Sequence, residues 1–177
     1  MGRDKALIEL GARTLVERTV EVVGAVATPV FVVAAVGQAL PPLPGATILR
    51  DEQPFAGPLA ALVQVSRLVA TPRVLVVAVD HPRLSAAVLR ALVVLAGSSA
   101  GAVFDSHVLT AVYARSTLVR AQEAVRLGER SLARFLASVD VRRVSRGDLL
   151  RDPDVAREDP SLVSFSDVDT PEDLRWP

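Results

Sequence analysis

The sequence predicts an α/β domain in which helices cover a mostly parallel sheet. Three observations carry that expectation. Apolar, β-branched runs alternate with amphipathic runs along the whole chain. The clearest run, RVLVVAVD, is apolar at successive positions, the pattern of a strand buried on both faces. Several runs end in carboxylates, at the strand ends where ligands gather in such sheets.

The elements follow in order. TLVERTVEVVGAV places Leu15, Val16, Val20, Val22, Val23 and Val26 among charges, which predicts a helix. Pro29 follows, and VFVVAAV reads as a buried strand. A proline-rich loop, ALPPLPG, leads to ATILRD, a short strand ending in charge. GPLAALVQVSRLVA is a helix that begins with Pro58 in its first turn, where the missing N–H costs nothing. RVLVVAVD is the central strand. SAAVLRALVVLA is a helix with Ser85 as its N-cap. AGAVF and HVLTAVYA read as strands. Residues 116–138 carry one or two helices broken at Gly128. VDVRRVS and SLVSFSDV read as two more strands, and TPEDL opens a short final helix.

Composition bounds the function. At 177 residues the chain can bury one ordinary core, and a single domain over 1–177 is expected. Apolar residues make up 50% and charged residues 23%, so the chain folds rather than staying disordered. Lys plus Arg equals Asp plus Glu, 20 each, which leaves no global field to hold nucleic acid. The absence of cysteine removes disulfides, thiolate catalysis and Cys-based zinc sites. The apolar runs fall short of the roughly 18 residues that suggest a membrane span. No signal-peptide pattern opens the chain, so a cytoplasmic location is expected.

A metal here needs oxygen ligands or the two histidines, His81 and His107, and oxygen ligands suit Mg²⁺. The histidines are too few and too far apart in sequence for a His-based cluster. Local hydrogen bonding or packing is expected of each. The strand ends offer Val36-Gly37-Gln38, Asp51 and Glu52 before Gly57-Pro58, Asp80-His81-Pro82, and Asp167 and Asp169 before Thr170-Pro171. Asp80, expected at the tip of a buried strand, needs a positive partner to offset its desolvation, and a Mg²⁺ ion carrying phosphates would serve. A turn acid before Pro82 would also account for it. Asp169 fits a metal ligand or a helix start. Lys5 gains meaning from its turn-prone neighbours Gly2, Arg3 and Asp4, because such clusters handle phosphate where a strand leaves for the next element. Tyr113 is expected to pack on the sheet, and Asp105 to turn the chain.

The ordered set M-G-R-D-K-A-L, R-D-E-Q-P-F-A-G-P-L-A-A-L, V-V-A-V-D-H-P-R-L, H-V-L-T-A-V-Y and D-V-D-T-P-E-D-L resembles the MobA-like nucleotidyltransferases, and most of all the molybdenum cofactor guanylyltransferases. The resemblance spans nearly the whole chain. It implies a three-layer Rossmann-like nucleotidyltransferase fold. The family's signature, L-A-G-G-x-S-x-R-M-G-x-D-K, is present only from its Met onward. The expectation is therefore that Met1 is an internal Met of a longer product, and that a strand and the Gly-Gly-x-Ser-x-Arg half of the loop are absent from this form. Strands beside the absent one would keep unpaired N–H and C=O groups.

By the same resemblance Lys5 contacts the nucleotide phosphates, Asp51 the nucleoside, and Gly57 permits close approach to substrate. Asp80 binds Mg²⁺, with Asp169 as a second ligand. The guanylyltransferases commonly carry Asn-x-Asn-Thr-Pro where this chain has Asp167-Val168-Asp169, a departure shared with cytidylyltransferases. The implied reaction moves NMP from an NTP, GTP above all, to a molybdopterin-type phosphorylated acceptor. A cytidylyltransferase or other NTP transferase of the same fold, or a truncated homologue that only binds a partner, are the alternatives.

Overall fold

Alternation along the strands decides the layers. The computed structural model describes residues 4–51 and 57–167. Its strands are β1 (Glu9–Leu10), β2 (Arg13–Thr14), β3 (Val30–Ala34), β4 (Ala46–Arg50), β5 (Arg73–Val76), β6 (Gly101–Phe104), β7 (Ala111–Ala114) and β8 (Arg142–Val144). The helices are α1 (Leu15–Gly24), α2 (Pro58–Ser66), α3 (Ala86–Ala96), α4 (Arg115–Arg126), α5 (Leu132–Leu136), α6 (Arg146–Leu150) and α7 (Pro153–Glu158). Successive strand residues point to opposite faces. On β5 and β7, Val74, Val76, Ala111 and Tyr113 face a core closed by Leu59 and Val63 of α2, Leu118 of α4 and Phe135 of α5. Between them, Leu75 and Val112 face a second core with Val88 and Leu92 of α3, Leu149 of α6 and Val155 of α7. Helices thus cover both faces of one sheet, which is the expected three-layer α/β arrangement.

The pairing is mixed. The main sheet has the order β5-β7-β6-β8. β7 runs antiparallel to both β5 and β6, whereas β6 and β8 are parallel. Three strands therefore share a direction and β7 reverses it. Tyr113 on β7 is fully buried, as expected of a residue packed on the sheet. Its ring lies where a β-carbon on Gly101 would stand, only 2.8 Å away, so the neighbouring strand needs glycine there.

β3 and β4 form a separate parallel pair. Val32 and Ile48 of this pair meet Val16 and Val20 of α1 in a third core. Among the described residues no strand joins β3 to β5. Between them lies a cleft of about 530 Å³ lined by Val30 to Val33 of β3, Val74 and Leu75 of β5, and valines of α1 and α2. It runs on past Val77 to Val79, next to the turn that carries Asp80.

Several expectations need correction. RVLVVAVD leaves the sheet at Val76, so Asp80 sits in a turn beyond the strand and not at its tip. HVLTAVYA is strand only from Ala111, because His107 to Thr110 first turn the chain. Over its described residues, 161–167, SLVSFSDV forms no strand. Val163–Phe165 form a 3₁₀ turn, held by the buried carboxylate of Asp159, which accepts the N–H groups of Val163 (2.7 Å) and Ser164 (3.0 Å). The TPEDL helix lies outside the described residues. The break at Gly128, where φ is +94°, separates α4 from α5 as expected. No helix among the described residues is long and apolar enough to cross a membrane.

Candidate active site

Lys5 and Asp80 come from distant parts of the chain and meet. Lys5 opens a 3₁₀ turn, Lys5–Leu7, capped by Asp4, whose Oδ1 accepts the Ala6 N–H at 3.0 Å. The other Asp4 oxygen accepts from Gln38 Nε2 at 2.6 Å, and Gln38 lies in the turn after β3. One carboxylate thus ties the Lys5 turn to the end of a strand. The Lys5 ammonium lies 3.6 Å from Asp80 Oδ2, with both side chains about one-third exposed (33% and 30%). An exposed pair of this kind adds little to stability. Its interest is that a cation and an anion are held together at a half-open surface.

Asp80 leads into a denser group. His81 is buried, 5% exposed. Its Nδ1 is 3.0 Å from the hydroxyl of the fully buried Thr110, which also accepts the Ala78 N–H at 3.4 Å. Its Nε2 is 2.6 Å from Asp167 Oδ1 and 4.0 Å from Asp80 Oδ1. The knot around Asp159 carries the chain back to this point. Ser164 Oγ accepts the Ser85 N–H at 2.9 Å, which fastens that knot to the start of α3. Burial pushes the His81 imidazole below its ordinary pKa, while the charges of Asp167 and Asp80 pull the other way. Burial prevails, so His81 is held below its ordinary pKa, with Nε2 at hydrogen-bond distance from the Asp167 carboxylate.

His107 completes the group. Its ring lies edge-on to His81, 5.5 Å between centroids, and stacks on Phe104 at 6.0 Å. The expectation that the two histidines stand too far apart is therefore overturned. The turn after β6 and the turn after β5 meet, and sequence distance says nothing of that. Among the described residues His81, His107 and Asp167 each offer a ligand atom, all within 4.8 Å of one another.

The other expected residues fall in separate places. Asp51 ends the β4 ladder, its N–H donating to the Ala34 carbonyl at 2.9 Å. Gly57 caps α2 with φ +83°. A β-carbon there would lie 2.9 Å from the Arg130 carbonyl oxygen, so the close approach the structure records at Gly57 is that of backbone. Asp105 turns the chain with φ +48°, as expected. Asp169 lies outside the described residues. Sequence inspection missed Thr110 and His107 as partners of His81. Their signal was present but weak, a polar cluster flanking a short strand.

A family model, the MobA-like NTP transferase domain, matches residues 1–144. A "Probable molybdenum cofactor guanylyltransferase" of Mycobacterium bovis BCG is 38% identical over 158 residues, which cover 84% of this chain and 78% of that protein. Two solved structures share the fold. Molybdopterin-guanine dinucleotide biosynthesis protein A from Archaeoglobus fulgidus aligns with a TM-score of 0.70 at 21% identity, over 98% of this chain and 88% of the other. 2-C-methyl-D-erythritol 4-phosphate cytidylyltransferase from Thermus thermophilus aligns with a TM-score of 0.73 at 20% identity, over 96% and 90%.

Proposed function

The chain belongs to the MobA-like NTP transferase family, and from that membership we propose that it transfers GMP from GTP to a molybdopterin-type acceptor. The terminal phosphate oxygen of the acceptor attacks the α-phosphorus of GTP. The bond from that phosphorus to the bridging oxygen breaks, and pyrophosphate leaves. The attacking oxygen is already ionised, so no general base is required. Rate enhancement then comes from positioning and charge neutralisation.

The observation that supports this most directly is the meeting of Lys5 with Asp80. A bound nucleotide would take over the ammonium, whose charge then sits against the α-phosphate. The Asp80 carboxylate, released from that pair, would hold a divalent cation together with Asp169. Carboxylate oxygens suit such an ion, and a further one, on Asp167, approaches the same His81 Nε2 as Asp80 does. When bound, that ion supplies neutralisation of the phosphate charge. Mg²⁺ is the proposed ion for the reaction. Asp51 is proposed to contact the nucleoside, and Gly57 to keep the start of α2 close to it.

Pyrophosphate release from GTP, CTP and ATP in the presence of the molybdopterin acceptor tests the proposal. GTP should be the preferred donor, and Asp80→Asn should slow transfer by about 10²–10³-fold, the usual size for one lost electrostatic contact. Preference for CTP would identify a cytidylyltransferase instead. Failure to bind any nucleotide would indicate a binding protein.

A further inference from the structure

We propose that His81, His107 and Asp167 form a binding site for a divalent transition-metal cation, of the Mn²⁺, Co²⁺ or Zn²⁺ class. The inference concerns the rim just described, and rests on the transfer reaction only for the use made of the ion.

The spacing is the first argument. The three donor atoms all lie within 4.8 Å of one another. Donors around a metal with bonds of about 2.0–2.2 Å are separated by roughly 3–4 Å. Closing the site therefore needs small side-chain movements only. The 2.6 Å contact between His81 and Asp167 must open slightly. Asp167 can do this, because its side chain is 48% exposed. The buried His81 need not move.

The chemistry of the donors is the second argument. Two imidazole nitrogens and one carboxylate suit a transition metal, whereas Mg²⁺ prefers a shell of oxygens. This separates the group from a purely carboxylate site.

Support behind the ligands is the third. Thr110 is fully buried and stands 3.0 Å from His81 Nδ1. When Nδ1 carries the proton and donates to that hydroxyl, the Nε2 lone pair faces the metal. Metal-bound imidazoles are oriented in this way. Phe165 touches both histidine rings, at 6.4 Å from His81 and 5.1 Å from His107, and packs on Phe104 at 4.2 Å. An aromatic floor therefore holds both rings and shields one side of the site from water. Three protein ligands leave positions open, and a phosphate oxygen is the ligand chemistry the neighbouring Lys5 and Asp80 would bring.

The test is a titration of the full chain with Co²⁺, read by its visible absorption, without nucleotide. One equivalent should bind with bands that report nitrogen ligation. An excess of Mg²⁺ of about 100-fold should not displace it, given the preference of imidazole for the softer ion. His107→Asn and Asp167→Asn, at partly exposed positions that leave the core intact, should each weaken binding by about tenfold or more, and Thr110→Val by about 10–100-fold as a positioning residue. The proposal is overturned if the unaltered chain binds no Co²⁺. It is equally overturned if His107→Asn and Asp167→Asn bind as tightly as the parent, or if equimolar Mg²⁺ clears the ion. Intact Co²⁺ binding without guanylyl transfer supports the site and counts against the reaction.

Discussion

Gly57 shows how one residue serves backbone geometry and site together. Its φ of +83° is a conformation that side chains rarely adopt, and the Arg130 carbonyl fills the place of a β-carbon. Gly57→Ala should destabilise the chain by about 2 kcal/mol, through left-handed strain and the clash with Arg130. The midpoint of urea unfolding measures it, and an unchanged midpoint would show that the loop at Arg130 yields. Gly57 was legible from its place before Pro58, but its reason was not, since nothing in the sequence pairs it with Arg130. The same holds for His81. Its position after a strand marked it as a rim residue, yet its partners Thr110, His107 and Asp167 come from other turns. Lys5 was legible as a charged residue in a turn-prone cluster and Asp80 as an acid following a strand, although the turn that carries Asp80 was not. Nor was their 3.6 Å contact.

Helix starts are written locally, and the elements follow them. Ser85 accepts the N–H groups of Ala87 and Val88, as its position before an apolar run predicts. Thr14 and Glu17 form a capping box on α1, with the Thr14 N–H donating to the Glu17 carboxylate at 2.7 Å. The Thr14 hydroxyl, followed by the Thr14 N–H, holds the Glu17 carboxyl below its ordinary pKa of 4.5. A carboxylate with a depressed folded value stabilises the fold above pH 4.5, and the contribution is lost as pH falls through that folded value. Thr14→Ala should therefore raise the Glu17 pKa toward its ordinary value, read by NMR titration, and cost about 1 kcal/mol near neutral pH, the usual size for a lost N-cap. A Glu17 pKa that stays low in that variant would assign the shift to other groups. α6 carries the same kind of signal, Ser145 with Asp148, and α7 begins at Asp152-Pro153. Both escaped sequence inspection because each is only five or six residues long and shows little periodicity. SLVSFSDV misled for the opposite reason. Its apolar residues suit a strand, but the carboxylate of Asp159 captures the backbone N–H groups a ladder would use.

The molecule as a whole is organised by which strand edges are paired. β7 is bonded on both edges, to β5 and to β6. Among the described residues β3 is bonded on one edge, to β4, and its other edge faces the cleft. In a strand, successive N–H groups point to opposite edges. Hydrogen exchange in β3 should therefore alternate residue by residue, slow where the N–H meets β4 and fast where it faces the cleft. Exchange should be uniformly slow across Ala111–Ala114 of β7. Uniform protection across β3, measured by NMR, would mean that the cleft edge is occupied in solution. The sequence by itself determined the alternation of helices and strands, the helix caps and the loops that bear charge, because periodicity and capping act over a few residues. Only the tertiary structure decided that β7 runs against its neighbours, that β3 and β5 face each other across a cleft, and that Lys5, Asp80, His81, His107 and Asp167 share one rim. Those facts depend on which distant turns the packed cores bring together, and the packing that does so is a sum over the whole chain.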